Sequence, residues 1–164
     1  MTEILFYFNA PDRLNYACRV LRKALRSGAQ AEGQPISGAA VTAPAPMLAR
    51  FDRMLWSFEA TEFIPHLLVA GSASPDARHR RTPVWLVARA EQAAHLPLLL
   101  HLGEAPAEGF ESFERLIEVV SGDADEREAA RARWKHYKSR GYEIRQHEAS
   151  ACRCIVRRHQ AFPR

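Results

Sequence analysis

The run Ile4-Leu5-Phe6-Tyr7-Phe8 constrains this chain more than any other stretch. Large apolar side chains in unbroken succession predict a strand covered on both faces, as strands are in a parallel sheet flanked by helices. A helix is predicted directly after it. Asn9 is placed to cap that helix, Pro11 fits its first turn, Asp12 stands at the capping-box position and Gly28 can end it in a left-handed conformation. Leu14, Cys18, Leu21 and Leu25 recur at i, i+4, i+7 and i+11, so one face of the helix turns toward a core.

The alternation of strand and helix continues along the chain. Residues 29–37 read as a loop, Ala39 to Ala43 as a short strand, and from Pro46 a second amphipathic helix aligns Met47, Phe51 and Leu55, with Trp56 near its end. A loop from Glu59 to Pro65 leads to the apolar stretch Leu67-Leu68-Val69. Residues 71–82, rich in Gly, Ser, Pro, His and Arg, form an exposed loop before the strand Val84-Trp85-Leu86-Val87, and Leu98 to His101 is a further strand. Two helices of opposite charge are then expected. Phe110, Phe113, Ile117 and Val120 make the stripe of the first, in a region from Glu104 to Glu128 that holds nine acids against Arg115 and Arg127. The second runs from about Asp123 to Arg140, ends at Gly141 and precedes an edge strand at Tyr142-Glu143-Ile144-Arg145.

This order predicts an α/β fold, a three-layer sandwich around a mostly parallel sheet of four to five strands. Residues 1–148 form one domain in this reading, and 149–164 a flexible basic tail. No internal repeat is visible.

Composition narrows the function. The 164 residues carry 23 Lys+Arg against 19 Asp+Glu, a formal +4. Arg153, Arg157, Arg158 and Arg164 fall in the last twelve positions, and without these four the remainder balances at 19 of each sign. A hydrophobic share of 47% excludes a wholly disordered chain. No apolar run reaches the roughly 20 residues of a membrane span, and Met1-Thr2-Glu3 does not begin a signal peptide, so a cytoplasmic protein is expected. Cys18, Cys152 and Cys154 are too few and too unevenly placed for a disulfide framework.

Several chemistries lack their residues. The turn Asn9-Ala10-Pro11-Asp12 has no glycine to admit a phosphate to the backbone and no Lys-Ser/Thr pair, so no nucleotide site is expected there. His95 and His101 do not have the i, i+4 spacing of a helical metal pair, and Cys152, Cys154 and His159 supply three ligands in an arginine-rich tail, short of a zinc pattern. Cys18 lies on an apolar stripe, where it serves as a small hydrophobe. No Ser, His and acid stand in a triad context. No catalytic residues, metal or cofactor are assigned.

What remains is the last helix. Arg127, Arg131, Lys135 and Lys138 fall at i, i+4, i+8 and i+11 and line one stripe, while Ala130, Trp134 and Tyr137 fall beside them as an aromatic ridge. Arg133, Arg140 and Arg145 add charge, giving seven basic residues against Glu128 and Glu143 over 127–145. Three readings fit: a solvated face over core aromatics, a single-stranded nucleic-acid surface with bases stacked on the rings, or a seat for an acidic peptide with an apolar end.

The segment from Ala130 to Tyr142, Ala-Arg-Ala-Arg-Trp-Lys-His-Tyr-Lys-Ser-Arg-Gly-Tyr, resembles the closing helix and turn of the chi subunit of bacterial DNA polymerase III. Phe51-Asp52-Arg53-Met54-Leu55-Trp56, followed by Phe63-Ile64-Pro65-His66, resembles that family's central motif, and Phe6-Tyr7-Phe8 its opening strand. The resemblance spans roughly residues 3–146; the 71–82 loop and the residues after Glu148 have no counterpart in it. It implies a Rossmann-like fold and a noncatalytic accessory subunit of the clamp loader, acting at replication forks. It further implies two protein partners: the acidic C-terminal tail of single-stranded-DNA-binding protein, and a small psi subunit. By motif, Arg131, Trp134 and Lys135, with Arg127 and Lys138 alongside, match the tail-binding helix, and Trp56 and Phe63 the psi-facing surface. DNA would be contacted mainly indirectly, and no membrane is involved.

Overall fold

The computed structural model describes residues 1–26, 36–59, 61, 63–69, 71 and 75–149. Seven strands form one sheet: β1 (Glu3–Ala10), β2 (Ala39–Thr42), β3 (His66–Leu68), β4 (Val84–Val87), β5 (Leu98–His101), β6 (Arg115–Ser121) and β7 (Ile144–Glu148). Their order is β3-β4-β2-β5-β6-β1-β7, and every neighbouring pair is parallel. Three α-helices cover it: α1 (Arg13–Arg26), α2 (Ala45–Ser57) and α3 (Ala124–Ser139).

The pleat of the strands explains the layering. Side chains at alternate positions of a strand point to opposite faces. Leu5, Val41, Leu86, Leu100, Ile117 and Val119 meet Leu14, Cys18 and Leu21 of α1 and Leu48, Phe51 and Leu55 of α2 in one core. Ile4, Phe6, Trp85, Leu99, Leu116 and Val120 meet Phe110, Phe113, Ala130 and Tyr137 in the other. The doubly covered β1 that its apolar run predicts is therefore present, with the Cys18 thiol in the core and burial pushing its pKa up to about 12.

Four expectations need correction. The helix expected around Phe110, Phe113, Ile117 and Val120 is a 3-10 turn at Phe110–Ser112 followed by strand β6. Leu116-Ile117-Glu118-Val119-Val120 is rich in β-branched residues and pairs with both β1 and β5, which a helix could not do. With β3 and β6 included, the sheet has seven strands instead of four to five. Asn9 does not cap α1: it lies within β1 at φ 60, where the register with β6 shifts between Tyr7 and Ala10, and Asp12 is the cap, its Oδ1 accepting from Asn15 N at 3.1 Å. The last edge strand begins at Ile144, two residues later than Tyr142, because Gly141 at φ 85 and Tyr142 are used to turn out of α3.

The loop before β4 contains an exposed 3-10 turn at Ala77–Arg81. Gly28 and the tail from residue 150, with Cys152, Cys154 and His159, lie outside the described residues. Among the described residues, no helix is long and apolar enough to cross a membrane.

Candidate protein-interaction surfaces

α3 is anchored from beneath by a buried charge. Glu118, fully buried on β6, accepts from Arg133 Nε at 2.5 Å and from the Tyr137 hydroxyl at 2.8 Å, and Arg133 Nη1 donates to the Glu104 carbonyl at 3.0 Å. The Tyr137 hydroxyl also accepts from Ala107 N at 3.2 Å. Burial and the neighbouring Glu118 carboxylate raise the Tyr137 pKa, so the phenol stays protonated and donates. These contacts fix the rotation of α3 on the sheet.

That rotation sorts the residues of the helix. Arg127, Arg131, Lys135 and Lys138 are all exposed, and none makes an ion pair or hydrogen bond through its side chain among the described residues. The other three basic residues leave the stripe. Arg133 is in the core with Glu118, Arg140 pairs with Glu111 at 2.5 Å, and Arg145 pairs with Glu3 at 3.1 Å. The aromatic ridge is likewise reduced: Ala130 and Tyr137 are buried, and only Trp134 remains half-exposed. Its ring meets Phe6 edge-on at 5.1 Å and Phe8 at 6.1 Å, and half-buried Phe8 and Ile144 continue the apolar margin. The result is a free cationic row bordered by a narrow apolar strip, near the β7 edge of the sheet.

The opposite edge carries an apolar surface. Trp56 at the end of α2 is 63% exposed and Phe63 is 53% exposed, with their rings 4.8 Å apart. His66 on the edge strand β3 meets Trp56 edge-on at 5.1 Å; its Nδ1 donates to the Ile64 carbonyl and its Nε2 lies 3.2 Å from Asp52. Leu68, next along β3, is 40% exposed. Apart from Met1, the exposed large apolar side chains among the described residues are Trp56 and Phe63, whose rings are in contact, and Leu68 on the edge strand β3, an exposure that no core function explains. His66 closes the Phe63-Ile64-Pro65-His66 motif and Leu68 lies in the apolar stretch after it, but neither is a site residue by sequence, since their place on an edge strand comes only from the sheet order.

His95 and His101 are structural. His95 packs edge-on against Trp85 at 4.5 Å, while His101, buried at the end of β5, contacts Thr42 Oγ1 at 2.9 Å and donates from Nε2 to the Ala105 carbonyl at 2.7 Å. Burial lowers the pKa of both rings. Among the described residues no three His, Cys, Asp or Glu side chains are grouped to hold a metal ion.

The fold thus defines a doubly wound α/β protein that exposes one cationic and one apolar surface. The family model described as DNA polymerase III chi subunit, HolC, matches residues 1–145, and the chain belongs to that family. It is 34% identical over 153 residues to the DNA polymerase III subunit chi of Pseudomonas aeruginosa, covering 90% of this chain and 96% of that one. Among solved structures it resembles the C-terminal domain of the DEAD-box protein Dbp5, with TM-score 0.59 and 9% identity over 92% of this chain and 91% of that one. A Saccharomyces cerevisiae Dbp5 C-terminal domain bound to Gle1 and IP6 has TM-score 0.58 at 9% identity, covering 91% of each chain. At such identity the likeness concerns the fold alone. Membership of the chi family makes the chain an accessory subunit in DNA replication, associated with the polymerase III holoenzyme.

Proposed function

We propose that the chain links the polymerase III clamp loader to single-stranded-DNA-binding protein by holding that protein's acidic C-terminal tail on α3, without catalysis of its own. The observation that carries this reading is the row Arg127, Arg131, Lys135 and Lys138, exposed and free of ion pairs among the described residues, beside half-buried Trp134. Unpaired cations on a helix attract carboxylates, and the strip of Trp134, Phe8 and Ile144 supplies an apolar seat for the tail's hydrophobic end. Attraction between exposed charges is screened by salt, so the affinity falls as salt is added.

The patch of Trp56 and Phe63 is read as the contact for a psi subunit. Its place at the β3 edge, across the sheet from β7, leaves both partners free to bind together. Direct binding of naked single strands by the basic helix and the arginine tail is the weaker reading, because Tyr137 is buried and leaves Trp134 as the one ring of the predicted α3 ridge open to stacking, while the tail lies outside the described residues. In this reading the protein works in the cytoplasm at replication forks and meets DNA mainly through its partners.

Single strands coated with binding protein test the proposal. The full chain is expected to bind strands with an intact coat and to lose that binding when the coat lacks its acidic tail. Equal binding to naked strands would transfer the function to direct nucleic-acid contact.

A further inference from the structure

β1 and β6 are neighbours, yet α1 leaves β1 over one face of the sheet and α3 leaves β6 over the other. Where connections diverge in this way, a crevice opens beyond the carboxyl ends of the strands. Here it has a volume of about 590 Å³ and is lined from four strand ends, by Arg13 after β1, Met47 after β2, Gly103 after β5, and Asp123 to Glu126, Ala129 and Arg133 after β6. It includes no residue of the cationic row or of the Trp56 patch.

Hydrogen-bond donors converge on this crevice. The Arg133 side chain is 1% exposed; its Nε and Nη1 are taken by Glu118 and the Glu104 carbonyl, and its Nη2 is buried with no acceptor among the described residues. Arg13 repeats part of the arrangement: Nε donates to the Val119 carbonyl at 2.7 Å and contacts Glu126 Oε1, an oxygen that is itself buried with no hydrogen bond among the described residues, and Nη2 is buried without an acceptor. A buried guanidinium N–H is costly to leave unmatched. The amino end of the 16-residue helix α3 adds its first amides, since Asp123 makes no side-chain cap bond and the helix ladder starts with Arg127 N to the Asp123 carbonyl at 3.0 Å.

We propose that this crevice binds a single phosphate group, as the free ion or as a monoester, through Nη2 of Arg13, Nη2 of Arg133 and the first amides of α3. Both guanidinium charges already face carboxylates, Glu126 and Glu118, so recognition rests on directed hydrogen bonds instead of net charge. Glu104, Asp123 and Asp125 are exposed at the rim and, with Glu126 in the lining, repel negative charge, which weighs most heavily against a polyphosphate chain and least against a single phosphate. The missing glycine after β1 is consistent with this: the donors sit at the start of α3, not at the turn into α1.

The test is an amide and arginine-Nε NMR titration of the full chain with inorganic phosphate, and separately with adenosine monophosphate, at constant ionic strength against a chloride control. Saturable shifts are expected at Ala124, Asp125 and Glu126 and at the Nε of Arg13 and Arg133. Arg13→Gln should weaken binding about tenfold, the effect of losing one charged hydrogen bond. Ala129→Phe fills the crevice while keeping every donor, and should abolish the shifts with the melting temperature retained. Tighter binding of the monophosphate would assign the site to a monoester, and equal binding to the free ion. Absence of saturable shifts at these positions, or unchanged shifts in Ala129→Phe, would overturn the proposal.

Discussion

Replacing Arg133 by Met should destabilise the protein severely, and replacing its partner as well should undo much of the damage. Arg133 is fully buried and holds Glu118, itself fully buried, at 2.5 Å. Removing one member of a buried ion pair strands the other charge, which costs about 3–5 kcal/mol. Stability for a domain of this size is on the order of 10 kcal/mol, so the melting temperature should fall by roughly 10 °C. In Arg133→Met with Glu118→Met no charge is left stranded, although the Tyr137 hydroxyl and the Glu104 carbonyl lose partners, at about 1–3 kcal/mol in all. Urea unfolding of the wild type, both single variants and the double variant measures the coupling, expected at about 2 kcal/mol or more for groups in contact. Strict additivity of the two single effects would refute the view that this pair clamps α3 to the sheet.

Further expectations concern His101 and the exposed patch. Burial depresses the His101 pKa, so the folded state favours the neutral ring; its contribution to stability is complete above the unfolded value near 6.5 and is lost as pH falls below it. Melting curves should therefore shift downward between pH 7 and pH 5, and His101→Gln should flatten that part of the profile. Gly103→Ala would place a Cβ 2.7 Å from His101 Cε1 and 2.9 Å from Nε2, against a ring pinned by Thr42 and Ala105; a loss of about 1–3 kcal/mol in urea unfolding is expected. Trp56→Ala and Phe63→Ala should each change stability by less than about 1.5 kcal/mol, since both rings are largely exposed, while reducing capture of a psi subunit about tenfold or more in a quantitative pull-down.

The sequence made parts of this structure legible for physical reasons. β1 and α1 could be read because an uninterrupted apolar run and a helical apolar period are local signals. β6 could not, because Phe110, Phe113, Ile117 and Val120 imitate a helical period by coincidence, and Glu118 breaks what would otherwise be a continuous apolar strand. The reason for a carboxylate in that strand is Arg133, which only the packing of α3 brings to it. The spacing of Arg127, Arg131, Lys135 and Lys138 correctly placed them on one exposed stripe. Which other cations were spoken for depended on Glu111 and Glu3, remote in sequence from Arg140 and Arg145. The phosphate crevice was invisible for the same reason, being assembled from the ends of four strands.

The central claim concerns the face of α3, and titrating a fluorescent acidic peptide ending in Pro-Phe against the full chain tests it most directly. Binding should be measurable at low salt and weaken as salt rises, and Arg131→Glu with Lys135→Glu should reduce it at least about tenfold, as loss of two exposed charge contacts and their reversal to repulsion demands. Absence of peptide binding at low salt, or binding indifferent to both substitutions, would contradict the account.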